Sequence, residues 1–519
     1  MSLKNREGSV ARKLLSGSVL RMGSLLFAAI SSFALMPIMV HHLGDRNYGF
    51  WSLAAAFIGY YGLLDLGLSN AVAQFLCVAL GRKDTGESRG VFNTALFLQT
   101  VLGCVALVVT VLLALSADRI CKHPGDAAVF WRVITVIGVT AAIGFPVRVY
   151  RGVLQAQLQF EIQSGLDLLG LVLRAGVIVY TMLSGHGLLA LAWGTSIASL
   201  PVLGLQVWFA RRRAEWARIG GTRLDKARAK HFFNYSAYTF AAQIADILRF
   251  QVDALVISTF LGLAAVTHYR IATVFSNYYI NALVELVGLF APLMSRYYGA
   301  GDHAALERTF FFTTKASMAV SVLICGGVIV WGRAFIQCWM GARYEDAYWP
   351  MVILATAVFL DVSQSASVVL MYTTFNQRFY TYVNSAEGVL NLVLSLALAR
   401  PLGLMGVALG TLIAAIVIRL IVQPIVVCRL SSIPLGRYVA FLVGNFARCA
   451  LLIVLAAVSF RWAIRPHYTW LAGSAVCATA LYAAGYLLFV LNRSEREEFQ
   501  RAIFRDRPTS NSAVAPIAQ

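Results

Sequence analysis

Fifteen ionisable side chains lie inside apolar stretches of this sequence, each stretch being about 20 residues or more in length. An ionisable group in the middle of such a stretch costs about 2.5–3.5 kcal/mol to place in a membrane, so it is expected to face other protein groups or a watery cavity. Because the two signs are nearly balanced, many of these groups are expected to form ion pairs, and the rest are candidates for binding an anion. The basic residues are Arg21, Arg132, Arg174, Arg249, Arg270, Lys315, Arg419 and Arg448, and the acidic residues are Asp65, Asp167, Asp246, Asp253, Glu285, Asp361 and Glu387.

The stretch around residue 250 carries three of these groups at helical spacing. Asp246, Arg249 and Asp253 are at positions i, i+3 and i+7, which predicts that they share one helix face. One interpretation is an internal salt-bridge triad that stiffens the helix. The other is an anion site, in which Arg249 faces a cavity and the carboxylates orient its planar guanidinium. The other arginines predicted for this site are Arg174, and Arg270 and Arg21, which lie near span ends and could instead reach the membrane interface.

A second set of residues offers hydrogen bonds and aromatic surface. Six polar residues fall between Ser276 and Glu285, and such a face would be costly against lipid. Tyrosine and asparagine suit ligands rich in hydroxyl groups, such as sugars, so this face is predicted to line a cavity. The alternative is helix packing through the same groups. The predicted ligand-contacting residues are Asn277, Tyr278 and Asn281 here, and Tyr60 and Tyr61 in an earlier stretch.

Four carboxylates complete the predicted site. Each is expected either to bind a proton or cation or to pair with a neighbouring arginine. No catalytic residue, metal ligand or cofactor is predicted, because the sequence lacks nucleotide-binding, zinc-hydrolase and nucleophile-elbow motifs. The eight cysteines are scattered and are predicted to be structural thiols, with a Cys121–Cys338 disulfide not favoured. The four carboxylates are Asp65, Asp246, Asp253 and Glu285.

The composition identifies the environment of these groups. Of the 519 residues, 59% are hydrophobic and only 13% are charged, and the mean hydropathy is +0.71. Soluble domains carry about 25% charged residues. Apolar blocks of about 20 residues match the length of helix that crosses a membrane. We therefore predict an all-α integral membrane protein with fourteen spanning helices, at residues 18–40, 50–79, 91–117, 128–147, 163–183, 187–210, 233–260, 266–295, 309–331, 348–374, 381–399, 403–427, 438–460 and 469–491.

Basic residues predict the orientation of these helices, because basic loops resist translocation. With the N terminus inside, internal segments hold 27 of the 43 Lys and Arg residues and external loops hold eight. The net charge of +19 therefore reflects topology rather than nucleic-acid binding. Both termini are predicted to be cytoplasmic. The longest loop, residues 211–230, is too short for an extramembrane catalytic domain; it is expected to touch anionic lipid, or else to recruit substrate.

The second half of the chain repeats features of the first. Seven residues between Gly187 and Ala198 recur between Gly403 and Ala414, at an offset of 216. Six spans per repeat is an even number, so the two copies enter the membrane from the same side. The prediction is two six-helix lobes related by a pseudo-twofold axis along the membrane normal, with substrate binding between them, followed by two additional helices.

The residues of this repeat are similar to those of a known family. The pattern resembles polysaccharide flippases of the Wzx type, in the superfamily of multidrug/oligosaccharidyl-lipid/polysaccharide exporters. The resemblance covers about residues 15–430, although His41-His42 and Gln74 stand where many relatives have basic residues. The residues that carry it are Leu43-Gly44 with Tyr48-Gly49, Leu64-Asp65-Leu66-Gly67-Leu68, Asp253 through Leu261-Gly262 with Tyr269, Pro292 and Ser295, and Gly403 through Thr411.

The resemblance implies a MATE-like fold and a function. It implies movement of a polyprenyl-pyrophosphate-linked oligosaccharide from the cytoplasmic to the periplasmic leaflet of a bacterial inner membrane, for O-antigen or exopolysaccharide assembly. The implied partners are this lipid-linked substrate, membrane lipid, and a polysaccharide polymerase with other assembly proteins; a monomer is expected. The predicted organisation is a cytoplasmic segment 1–17, an N-lobe 18–210, a basic loop 211–232, a C-lobe 233–428, two helices within 429–491, and a cytoplasmic tail 492–519.

Two other functions stay open at this point. The first is a cation-coupled multidrug exporter of the same superfamily, which would need a net acidic, aromatic cavity. The second is a membrane glycan polymerase or ligase. That class needs a sizeable external catalytic loop, and the predicted external loops are short.

Overall fold

The computed structural model describes residues 3–117, 124–217 and 240–492, except for isolated positions within these ranges. For residues 3–22, and for a few helical positions such as Glu285, only the backbone is described. The α-helices are α1 Leu3–Leu64, α2 Leu68–Gly81, α3 Thr85–Leu115, α4 Pro124–Ala156, α5 Phe160–Leu183, α6 Leu188–Arg213, α7 Val252–Phe260, α8 Leu263–Gly288, α9 Ala291–Gly299, α10 His303–Trp339, α11 Tyr348–Ser363, α12 Ser365–Thr373, α13 Gln377–Ala415, α14 Gln423–Ser431, α15 Leu435–Phe460 and α16 Tyr468–Gly485. No strand occurs in this part of the chain.

Ten helical stretches in the described residues are long and apolar enough to cross a membrane, so the chain is a multi-pass membrane protein. One of them, Arg378–Ser431, contains the two predicted spans 381–399 and 403–427, and another, Leu26–Leu64, covers parts of the two predicted spans 18–40 and 50–79. The bends fall at Gly44 and Gly403, which adopt φ values of 73° and 59°. Only glycine adopts such values without steric cost, so the chain can reverse there in a very short turn.

Several predicted spans are instead broken within the membrane-spanning region. Residues 50–79, for example, are divided where α1 ends and α2 begins, because Gly67 is left-handed with φ 73°. The Asp65 carboxylate accepts a hydrogen bond of 3.1 Å from the Ser69 amide, an N–H group in the first turn of α2 that would otherwise lack a partner within the helix. The spans predicted at 233–260, 266–295 and 348–374 are likewise interrupted, before Val252, before Ala291 and at Gln364.

Two pairs of residues matched by the sequence repeat have the same local structure. Gly44 and Gly262 both adopt positive φ, at 73° and 94°. Asp84 and Asp302 both cap a helix, accepting backbone N–H groups at 2.8 and 2.9 Å respectively. At these two pairs of positions, the two copies of the repeat therefore share backbone conformation and helix capping as well as residue identity.

The buried apolar residues place the two halves of the chain in contact. One core joins α1 to α7, α8 and α11 through residues such as Phe50, Phe57, Val256 and Leu354. A second lies within the first half, around Phe92 and Val153. A third lies within the second half, around Phe310 and Tyr438. Buried apolar contacts therefore occur within each half and also between the halves, along α1, α7, α8 and α11.

Candidate transport cavity

A cavity of about 330 Å³ lies where the two halves meet. The first half contributes α1, and the second contributes α7, α8, α11 and α13. We call this space the central cavity. Its polar lining residues include Ser52, Arg249, Asp253, Tyr269, Arg270 and Asn277.

Arg249 belongs to a buried group of four charges. Its guanidinium lies 3.0 Å from Asp361 and 2.9 Å from Glu387. Arg419, which is 1% exposed, contacts the same two carboxylates at 3.0 and 2.7 Å. Asn384 and Gln423 accept further hydrogen bonds from Arg419 at 3.0 and 2.6 Å. Two cations and two anions therefore neutralise each other at the wall of the central cavity.

The ion pairing of Arg249 differs from the predicted triad. Helix α7 begins only at Val252, so Asp246, Arg249 and Asp253 do not share the face of one continuous helix. Asp246 is exposed and accepts a hydrogen bond from Asn384 at 2.9 Å. The sequence contained the true partners among its intramembrane charges, but spacing along one helix could not select them, since they lie on other helices.

Arg270 is the cation of the central cavity that no described carboxylate neutralises. It is exposed and lines the cavity on α8, and no ion pair forms between it and another described residue. Thr273, Ser276 and Asn277 of the same helix line the cavity beside it. The Arg270 guanidinium therefore lies on the same helix face as hydroxyl and amide groups. Such a face could bind an oxyanion through the guanidinium and a polar group attached to that anion through the hydroxyls and the amide.

Asp253 faces the same cavity from α7. It is 8% exposed and accepts a hydrogen bond of 2.7 Å from the Tyr269 hydroxyl. No described basic side chain forms an ion pair with it. Of the three predicted carboxylates whose side chains are described, it is therefore the one that combines burial, cavity access and a lack of a described counterion.

The predicted polar and aromatic residues divide among several environments. Asn277 lines the central cavity, whereas Asn281 is exposed on the same helix. Tyr278 and Tyr61 are not among the residues that line the central cavity. Tyr278 donates to the Ala28 carbonyl at 3.0 Å, and Tyr61 is 2% exposed and lies 2.6 Å from the Thr110 hydroxyl. The reason is that each hydroxyl finds a partner on a packed neighbouring helix.

A narrow contact separates the central cavity from a second space. Gly59 and Gln251 line both cavities. A methyl group added at Gly59 would lie 1.7 Å from Gln251 Oε1, which shows how closely the two halves approach. Tyr60 donates to the Gln251 carbonyl at 3.0 Å at the same place.

The second space, which we call the vestibule, measures about 520 Å³. Arg148 and Arg151 line it and belong to a predicted cytoplasmic segment. Asp65 and Asp246 also line it. Asp65 accepts from Gln99 at 2.6 Å and from Ser69 at 2.7 Å, and it lies 3.3 Å from Arg148. Asp65 is therefore paired and held within the first half of the chain.

The opposite end, predicted to be external, is closed by contacts around Asp45. The Asp45 side chain accepts hydrogen bonds from Arg343 and Tyr344 of the second half, and its carbonyl accepts from Thr267 at 2.6 Å. Gly49 lies directly against α8, because a methyl group there would be 1.8 Å from the Leu263 carbonyl oxygen. The prediction did not include Asp45, although it directly follows the Leu43-Gly44 motif.

Of the three remaining predicted residues, only Arg174 has a described side chain. Arg174 lines a separate cavity within the first half of the chain. Arg21 belongs to α1, but its side chain is outside the described part of the structure, as is the side chain of Glu285. Cys121 and most of the basic loop, residues 218–232, also lie outside it.

This architecture defines a class of protein: a multi-pass, all-helical membrane protein with a polar cavity between two halves. Its fold matches a structure of the lipid II flippase MurJ in an inward closed conformation, with a TM-score of 0.73, 12% identity, and coverage of 94% of this chain and 100% of MurJ.

The chain belongs to the family described as polysaccharide biosynthesis protein, whose sequence model matches residues 38–349. The resemblance to Wzx-type flippases of the exporter superfamily is thereby confirmed.

Two relatives match over most of their length. The membrane protein EpsK of Bacillus subtilis (strain 168), named as uncharacterized, is 23% identical over 91% of this chain and 95% of EpsK. A candidate O-antigen transporter of Shigella flexneri is 18% identical over 79% of this chain and 97% of the transporter. The similarity therefore spans nearly whole proteins.

Proposed function

We propose that this protein is a flippase that moves a polyprenyl-pyrophosphate-linked oligosaccharide from the cytoplasmic to the periplasmic leaflet of a bacterial inner membrane. The observation that carries the proposal is Arg270, a cation without a described counterion, inside a polar cavity between the two halves. The names of one relative, a candidate O-antigen transporter, and of one structural neighbour, the lipid II flippase MurJ, support a lipid-linked glycan as substrate. The translocated oligosaccharide would be used for surface polysaccharide assembly, in which a polymerase acts after the flippase.

The proposed cycle uses two six-helix lobes that rock about the central cavity. In the proposed orientation both termini are cytoplasmic, the vestibule faces the cytoplasm, and the contacts around Asp45 close the periplasmic end. Substrate would enter from the vestibule, pass the contact between Gly59 and Gln251, and leave when the Asp45 contacts separate. Outward movement of a doubly negative pyrophosphate across an inside-negative membrane is favourable by about 4.6 kcal/mol per 100 mV, so a coupling ion is not required.

A cation-coupled exporter is the second candidate, and Asp253 is the observation that favours it. A buried carboxylate with no described counterion can bind a proton or a cation. Arg270 in the same cavity opposes the binding of organic cations, because like charges repel. The two candidates therefore differ in the charge of the molecule that the cavity accepts.

The test is transfer of a fluorescent polyprenyl-pyrophosphate oligosaccharide between leaflets of proteoliposomes. The intact protein is expected to accelerate transfer over protein-free vesicles, and a polyprenyl alcohol lacking pyrophosphate should not be transferred. An organic cation such as ethidium serves as the competing substrate, with a proton or sodium gradient imposed. Transport of ethidium without transfer of the lipid-linked glycan would replace the flippase by the exporter.

If the cation-coupled mechanism holds, an imposed proton or sodium gradient accelerates transport, and replacing Asp253 by asparagine is expected to remove that acceleration. Asparagine keeps an oxygen that can accept from Tyr269 but cannot bind a proton in the same range. Tyr269 and Thr411 flank the carboxylate, and Arg249 and Arg270 line the same cavity. Transfer rates are measured with and without each gradient. Asp65→Asn is the comparison, because Asp65 is already paired; an equal loss in both variants would refute a specific role for Asp253.

Replacing Gly49 by alanine is expected to disfavour the state closed near Asp45. The added methyl group would overlap the Leu263 carbonyl, and such overpacking costs about 1–3 kcal/mol. Labelling of a Ser52→Cys reporter by a membrane-impermeant thiol reagent from the periplasmic side should become at least about fivefold faster.

Gly62→Ala is the matched control for Gly49→Ala, because a methyl group at Gly62 meets nothing within 4 Å. The protein without the Ser52→Cys change measures labelling of the native cysteines. If Gly49→Ala and Gly62→Ala changed the labelling rate equally, the proposed closure at Gly49 would be wrong.

A further inference from the structure

A third cavity, distinct from the central cavity and the vestibule, lies inside the first half of the chain. It measures about 490 Å³ and is lined by α1, the end of α4, α5 and α6. Arg151 lines both this cavity and the vestibule, whereas Arg174 lines this cavity alone. The sequence prediction grouped Arg174 with Arg249 and Arg270, but the structure places it in a different compartment.

The charges of this cavity do not cancel. Arg151 and Asp167 form a bidentate ion pair, with N–O distances of 3.0 and 2.8 Å, and so neutralise each other. Arg174 is exposed to the cavity and forms no ion pair with any described carboxylate. Among the described lining residues, the guanidinium of Arg174 is therefore an excess positive charge.

Arg174 is also far from either end of its helix. At 1.5 Å per residue, it is about 21 Å from Phe160 and about 14 Å from Leu183. An arginine side chain is shorter than either of these distances, so it cannot bring its charge past a helix end, and a free charge at such depth is unfavourable. An anion in the cavity would remove this cost.

The remaining lining residues indicate the kind of anion. Gln206 provides an amide donor, and Leu166, Leu171, Val202 and Leu203 provide apolar surface. A phosphate group alone would satisfy the guanidinium but not the apolar wall. A lipid phosphate satisfies both, since its charged group can contact Arg174 while its apolar part contacts the leucines.

We propose that this cavity is a binding site for the phosphate group of a lipid, with Arg174 as the principal contact. The lipid is either an anionic phospholipid of the membrane or a polyprenyl pyrophosphate, since both present the same chemistry. This inference does not depend on transport activity. It adds a site outside the central cavity, in the first half of the chain.

Native mass spectrometry of the purified protein in detergent tests this site. The probes are phosphatidylglycerol, phosphatidylcholine as the zwitterionic comparison, and geranylgeranyl pyrophosphate. All proteins carry Arg270→Gln, so that binding of a pyrophosphate in the central cavity does not contribute. Arg174→Gln is expected to weaken binding of an anionic probe at least tenfold, and Arg174→Lys should weaken it less. Arg448→Gln is the matched control, because Arg448 also lies within an apolar helix but lines none of these cavities.

The loss of binding in Arg174→Gln is compared between the two anionic probes. Loss of phosphatidylglycerol alone in Arg174→Gln supports a membrane phospholipid as the ligand, and loss of geranylgeranyl pyrophosphate alone supports the polyprenyl lipid. Unchanged binding of both anionic probes in Arg174→Gln, or equal loss in Arg448→Gln, would overturn the proposal. A melting temperature equal to that of the parent protein shows that any loss is not due to unfolding. Failure of lipid binding at Arg174 would leave the flippase proposal unaffected, because that proposal is tested by transfer in the protein with Arg270 intact.

Discussion

Replacing Arg249 by alanine is expected to destabilise the protein by about 3–5 kcal/mol, because it removes one cation from a buried group of four charges. Asp361 and Glu387 would keep only Arg419 as a cationic partner. Glu387 is 1% exposed, so water cannot replace the lost contact. The measurement is unfolding in detergent micelles, followed by circular dichroism during heating or denaturant titration.

Two further variants separate charge from geometry at this site. Arg249→Lys keeps the charge but not the planar fork, so an intermediate loss is expected. The double variant Arg249→Met with Glu387→Gln removes one charge of each sign and should recover part of the stability, since the remaining Arg419 and Asp361 still pair. If Arg249→Ala unfolded at the same temperature as the intact protein but abolished transfer, Arg249 would be an anion-binding residue instead of a structural one.

Replacing Arg270 by glutamine is expected to slow transfer of the lipid-linked oligosaccharide about ten- to a hundredfold while leaving stability nearly unchanged. A hydrogen bond to a charged group contributes about 1.5–3 kcal/mol, and Arg270 has no described ion pair to lose. The measurement is the initial rate of leaflet transfer in proteoliposomes at low substrate concentration, with the melting temperature of each variant recorded in parallel.

Arg270→Lys and Arg132→Gln complete this experiment. Lysine keeps the positive charge, so it should restore part of the rate if the ligand is anionic. Arg132 lies in α4 with its guanidinium 5.5 Å from the Trp131 ring, and it lines none of the cavities described above. Its substitution removes an intramembrane arginine without changing the central cavity. Equal rates for Arg270→Gln and the intact protein would exclude Arg270 as the pyrophosphate contact.

Together these predictions assign different roles to two arginines that the sequence placed in one site. Arg249 and Arg270 both line the central cavity, so residue type and location do not distinguish them. The difference is the set of neighbours. Carboxylates surround Arg249, whereas hydroxyl and amide groups flank Arg270 on the cavity side of α8.

Part of the site could be predicted because it depends on local chemistry. The polar face of α8 was identifiable, since several hydrogen-bonding groups within a short apolar stretch cannot all face lipid. Asn277 lies on this face and lines the central cavity. The orientation of Tyr278 and Tyr61 could not be predicted in the same way, because a tyrosine can also pack its ring against a helix and hydrogen-bond its hydroxyl to that helix, as both do here.

The sequence by itself determined the membrane location, the family and the internal repeat. Each depends on a property that can be read along the chain: hydropathy over about 20 residues, motif identity, and recurrence at a fixed offset. The glycines at which the chain turns were also present in the repeat, and Gly44 and Gly262 adopt the same unusual backbone conformation.

Only the tertiary structure decided which charges meet. Arg249 pairs with Asp361 and Glu387 because α11 and α13 pack beside it, and a one-dimensional spacing contains no information about that packing. The same holds for Asp45, whose partners Arg343 and Tyr344 come from the other half of the chain. Electrostatic energy depends on distance in space and on burial, and both are fixed only when helices distant in sequence come into contact.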